Sequence, residues 1–224
     1  MFLYYSLAEA CYAYLRDFPF EDVPRRATSA FRRSVWHRRG WTLQELVASE
    51  VVLFVSSEWT ILGTKYDLAD VLESVTSIPQ GVLRLEVELR STSIAARMSW
   101  AAERDTTRPE DQAYCLLGIF NIHMPLLYGE GRQAFRRLQE EIMKQDVDTS
   151  IFAWGIEIHK KPSSLLNPSY AAHDDHQDET FLLAPSPAAF RGCGGRHFSP
   201  PFHWQGHTHS RDSEQGLPLV SVCC

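Results

Sequence analysis

Ser34-Val35-Trp36-His37-Arg38-Arg39-Gly40-Trp41-Thr42-Leu43-Gln44-Glu45-Leu46 leads, four residues on, into the apolar run Val51-Val52-Leu53-Phe54-Val55, and these two stretches decide the fold. A helix from Trp41 to Ala48 gathers Leu43, Leu46 and Val47 on one apolar face and sets Trp41 and Glu45 one turn apart on another. The β-branched run after it has the length and composition of a buried strand. Upstream, Ala10-Cys11-Tyr12-Ala13-Tyr14-Leu15 is a second such run, closed by Arg16-Asp17 and a loop holding Pro19 and Pro24. Strand, helix, strand in that order is the mark of a parallel βαβ unit, so an α/β core is predicted over residues 1–80. On packing grounds alone, Trp41 belongs in the core and Glu45 pairs with Arg38 or Arg39.

Farther along the chain, helical signals dominate. Trp59 to Leu62 reads as a short returning strand. Thr64 and Asp67 form a capping box ahead of Leu68, Val71, Leu72 and Val75. Ser93 caps a helix lined by Ile94, Met98, Ala101 and Ala102, and Thr107 with Glu110 introduces another carrying Ala113, Leu116, Leu117 and Phe120. After the turn 124–131, Arg132 to Gln145 is helical, with Phe135, Leu138 and Ile142 inward and with Arg136/Glu140 and Arg137/Glu141 as exposed pairs. Ile151 to Trp154 is a strand candidate. From about residue 160 periodicity is lost, and order is expected to return only near 181–190, where two prolines forbid a helix interior.

The chain has 224 residues, enough for one ordinary domain and an appendage; 44% are hydrophobic and 12% aromatic, a globular composition. A net charge of -6 excludes the basic field that nucleic acids require, and no apolar run approaches the ~20 residues of a membrane span. Cysteines 11, 115, 193, 223 and 224 are scattered, which suits reduced thiols in the cytoplasm. The His- and Cys-bearing tail lacks a Cys-x-x-Cys pair, so no metal is assigned to it, and the terminal Cys-Cys lacks a prenylation box. Gly129-Glu130-Gly131 before a helix suggests a phosphate cradle, but Glu130 would repel an anion and a tight turn is the better reading. Nucleophile elbow, P-loop and His-Glu-x-x-His motifs are all absent.

Taken together, Ser34-x-Trp36 and Arg39-Gly40-Trp41-Thr42-Leu43-Gln44-Glu45-Leu46 closely resemble the signature block of the fungal heterokaryon-incompatibility (HET) domain. Further blocks resemble the same proteins in order: Ile61-x-Gly63-Thr64-Lys65, Arg97-Met98-Ser99-Trp100-Ala101, Thr106-Thr107-Arg108-x-Glu110-Asp111-x-Ala113-Tyr114, Met124 to Gly131, Leu138 to Ile142 and Ser150 to Trp154. Ala184-Pro185-Ser186-Pro187-x-x-Phe190 resembles the region that follows. The resemblance implies a partial HET domain with its helical extension over 1–154 and a loop-rich region over 155–224. The opening strands that the family carries are missing, so an N-terminally truncated domain is expected.

The family's relation to TIR domains implies a partial flavodoxin-like parallel sheet, then a helical section, then an irregular tail. It also implies a cytoplasmic cell-death effector of nonself recognition. TIR enzymes cleave NAD with one glutamate, and the matching position here is Glu45, with Trp41 and Arg39 as the residues that would meet the dinucleotide. NAD would be a substrate, and no resident cofactor or metal is implied. The alternative is a non-enzymatic module, or an inactive remnant, acting through protein partners or self-association, without nucleic acid and without a membrane span.

Overall fold

The computed structural model describes residues 2–19, 22–155 and 182–193. A three-stranded sheet, ordered β1-β2-β3, is built from Cys11–Tyr14 (β1), Val52–Val55 (β2) and Ile61–Thr64 (β3). β1 and β2 are parallel, with Ala13 opposite Phe54, and β3 returns antiparallel to β2. The helix Thr42–Ala48 (α2), labelled after the short N-terminal helix Phe2–Ser6 (α1), makes the crossover between the parallel strands. The predicted α/β core is therefore present, and Leu43, Leu46 and Val47 of α2 join Ala13, Val52 and Phe54 of the sheet in one buried apolar cluster.

One face of the sheet packs inward through Ala13, Val52 and Phe54, all fully buried. The other face leaves Tyr12, Tyr14 and Ile61 exposed, with the ring of Trp59 stacked on Tyr14 at 5.0 Å. Trp59 has φ +61°, a left-handed conformation that a bulky side chain adopts only under constraint. Hydrogen bonds from Trp59 N to Ser56 O and from Ser56 N to Thr60 O impose it.

Ala69–Thr76 (α3), Gln80–Leu83 (α4) and Ile94–Ser99 (α5) follow. The Thr64/Asp67 box forms reciprocally, Thr64 N donating to Asp67 Oδ2 and Asp67 N to Thr64 Oγ1, each at 3.1 Å. Lys65, 2% exposed, donates to the carbonyls of Leu46 and Ser49 and so closes the C-terminus of α2 with a cation.

The structure departs from three sequence expectations. The single helix over Ala113–Phe120 is two: Asp111–Tyr114 (α6) and Leu117–Phe120 (α7). Gln44 Nε2 takes the Cys115 carbonyl at 2.7 Å, and Ile119 N turns instead to Leu116 O, so the ladder breaks there. The strand proposed at Ile151–Trp154 is a 3-10 turn, Thr149–Phe152, because Asp148 and Ser150 are engaged in capping: they accept from Ile94 N and Ala95 N at the start of α5. On Gln133–Gln145 (α8) the Arg136/Glu140 pair forms at 3.1 Å, but Arg137 bonds to Glu130 and Pro125 O, leaving Glu141 to Lys144.

Residues 182–193 lie across α5 and α8. Gln139, fully buried, donates to Ala184 O and accepts from Ala184 N, both at 2.9 Å, and Phe190 is fully buried. Of the His- and Cys-bearing tail only Cys193 is described, buried with its Sγ 3.2 Å from Ala153 O, and the expectations for the rest fall outside the described residues.

Candidate active site

Most polar residues of the signature block are consumed by the fold. Ser34 caps the turn that carries Trp36 and donates to Asp17 Oδ1 at 2.7 Å. Trp36 packs edge-on against Phe54 in the core. Gly40 is required because a Cβ there would lie 2.5 Å from Thr106 Cγ2. The Thr42 hydroxyl sits 2.6 Å from Trp36 O and accepts from Arg104 Nη1 at 2.9 Å. Gln44 is spent on Cys115 O.

Glu45 is the exception. It is the only acidic residue of α2 and is half-buried, and among the described residues it enters no ion pair, so the expected pairing with Arg38 or Arg39 is not made. Its hydrogen-bond partner is the Tyr5 hydroxyl of α1, which donates to Oε1 at 3.4 Å, near the limit of a hydrogen bond. Burial pushes the Glu45 carboxyl above its ordinary range, and the Tyr5 bond and the charges of Arg39 and Arg104 only partly oppose this. Burial and the neighbouring Glu45 likewise raise the Tyr5 hydroxyl and the Cys11 thiol.

Of the other sequence candidates, Arg39 is exposed at the end of the turn before α2, within electrostatic reach of Glu45, and Trp41 is half-buried at the N-cap of α2. The residues that sequence reasoning missed are Tyr5, Cys11 and Arg104. None carries a local signal, because α1, β1 and the segment after α5 meet at Glu45 only through the tertiary fold. Neither of the two cavities walled in part by Arg104 includes Glu45.

The turn 124–131 is organised from within. Glu110 accepts from Gly129 N at 2.8 Å and Gly131 N at 3.0 Å, so the glycine N–H groups are already filled by the protein's own carboxylate. Its own backbone N–H, together with those two bonds, holds Glu110 below the usual carboxylate range. Glu130 accepts from Tyr114 and pairs with Arg137, while Tyr128 donates to Asp111 at 3.0 Å beneath the guanidinium of Arg108. Two of the resembling sequence blocks are thus one structural clasp. Among the described residues no cluster of His, Cys, Asp or Glu suits a metal ion, and no helix is long and apolar enough to cross a membrane.

Comparison with known proteins gives two matches. Over 151 residues, 65% of this chain, it is 43% identical to vegetative incompatibility protein HET-E-1 of Podospora anserina. The chain spans 11% of the length of that relative. Residues 133–211 match a domain of unknown function, DUF8212, which joins α8 to the region beyond it. No solved structure matches.

Proposed function

We propose that this chain is part of a fungal vegetative-incompatibility protein, a TIR-like cytoplasmic effector of cell death in nonself recognition, and that it acts by cleaving the nicotinamide–ribose bond of NAD at Glu45. The similarity to HET-E-1 supports a fungal vegetative-incompatibility protein; the TIR-like cell-death role rests on the resemblance of the signature block. The observation that carries the cleavage reading is the half-buried, ion-pair-free Glu45 on the crossover helix of a parallel β-α-β unit.

When the C–N bond to nicotinamide breaks, its electron pair leaves with the base and positive charge develops on the ribose. An ionised carboxylate in a poorly hydrated site stabilises that charge until water attacks, releasing a proton. Glu45 supplies the carboxylate, Trp41 a ring to stack on, and Arg39 a guanidinium for the pyrophosphate. Glu45→Gln retains shape and removes charge. The expected outcome, in the full-length protein expressed in a fungal host, is at least a hundredfold loss of NAD consumption together with loss of cell death. Because the carboxyl titrates above the ordinary glutamate range and must be ionised, activity should fall on the acid side at a pH above that range. Death that persists in Glu45→Gln at constant NAD would overturn the enzymatic reading.

A second reading, an interaction module acting by self-association, is favoured by the outer face of the sheet. Tyr12, Tyr14 and Ile61 are exposed there beside a constrained Trp59, and the outer edge of β1 has no neighbouring strand among the described residues.

A further inference from the structure

A cavity of about 150 Å³ lies away from Glu45, walled by His37, Ser77, Trp100, Glu103, Arg104 and Arg191 among others. Two of these residues are more than nine-tenths buried and hold polar atoms without a partner, Trp100 Nε1 and Arg104 Nη2, and the equally buried His37 has the Phe31 backbone as its hydrogen-bond partner. Arg104 is the most telling. Its Nε donates to Trp100 O at 3.1 Å, and its Nη1 donates to Arg39 O and Thr42 Oγ1, each at 2.9 Å. All three acceptors are neutral, and Arg104 enters no ion pair among the described residues. A buried cation with no carboxylate in contact is costly to keep, and the more distant charge of Glu45 offsets only part of that cost.

At the same cavity, Arg191 adds a second guanidinium. Glu103 meets it at 3.5 Å, but their side chains are 53% and 75% exposed, so that pair is weak and readily exchanged. Arginine and tryptophan side chains donate and do not accept, which calls for a ligand made of acceptors. The volume is far below the ~300–1,000 Å³ of pockets for drug-sized molecules, and a dinucleotide is too large for it.

We propose that this cavity binds a phosphate-sized oxyanion, with Arg104 as its buried counter-ion and Arg191, released from Glu103, closing over it. The lining does not include Glu45, and the proposal does not require that Glu45 be catalytic.

The test uses the full 224-residue chain, titrated with orthophosphate and separately with AMP against chloride at matched ionic strength, followed by calorimetry and thermal unfolding. Saturable binding that raises the unfolding temperature is expected. Arg191→Ala should weaken it roughly tenfold through loss of a charge-assisted bond, and Glu103→Gln should tighten it severalfold by removing the competing carboxylate. Both positions are exposed, so neither variant depends on repacking the core. A response to AMP with the same dependence would identify a phosphomonoester, and a response to orthophosphate alone would identify the free anion. No saturable response, or one unchanged in both variants, would overturn the proposal and leave the donors to water. Glu45→Gln should keep saturable phosphate binding, tightened if anything because it removes a carboxylate charge felt by Arg104, while NAD consumption is lost, which separates this site from the catalytic reading.

Discussion

His37 is 6% exposed and enclosed by Phe31, Trp36 and Phe54, with ring centroids 5.0–6.3 Å away. Burial, reinforced by the charge of Arg104, pushes its pKa down to about 4. An unfolded chain takes up that proton near pH 6.5, so between about pH 6.5 and 4 the unfolded state binds more protons and stability falls as pH drops. The loss across that window should be on the order of 3 kcal/mol. Denaturant midpoints measured from pH 7.5 to 4 would show it, and His37→Leu should flatten the slope whatever it does to absolute stability. Glu45 has the opposite sign. Its raised folded pKa means that ionisation destabilises the fold as pH rises through it, so Glu45→Gln should fold at least as well as the unmodified chain at neutral pH. A residue kept against stability is what a reactive site requires.

At the level of elements, α1 is the piece whose position matters most for Glu45. It docks where Gly118 leaves room: a Cβ on Gly118 would lie 2.2 Å from Phe2 Cβ. Gly118→Ala should therefore detach α1, withdraw Tyr5 and open Glu45 to solvent, at a cost of roughly 1–3 kcal/mol. Faster amide exchange over residues 3–7, with protection of α8 unchanged, would confirm it. Exchange rising throughout the protein would show instead that α1 belongs to the central core. The sequence made the β1-α2-β2 unit legible because each of its three elements carries its own apolar pattern, read without help from the loop between β1 and α2. It did not make legible the break between α6 and α7, since Gln44, seventy-one residues from its acceptor Cys115, withdraws that carbonyl across the fold. The site was half legible for the same reason. Glu45, Trp41 and Arg39 lie together in sequence, whereas Tyr5 and Arg104 reach them only through packing.

For the molecule as a whole, the exposed side of the sheet is the main liability. β1 is an edge strand with no charge between Ala10 and Leu15, and Tyr12 is 61% exposed on it. The chain by itself should associate at micromolar concentrations, and Tyr12→Lys should suppress this in light scattering while leaving the circular dichroism unchanged. If scattering stays the same, association runs through another surface.

The described stretches end at Gly155 and resume at Leu182, and these two ends are side by side. Gly155 N donates to Ala189 O at 3.0 Å, and Trp154 Nε1 donates to Leu182 O at 3.2 Å. A segment whose ends are fastened together imposes almost no length requirement, because doubling it adds only about 0.6 kcal/mol of closure entropy. Gly155 and Leu182 are therefore held beside each other by the core itself, whatever the length of chain between them.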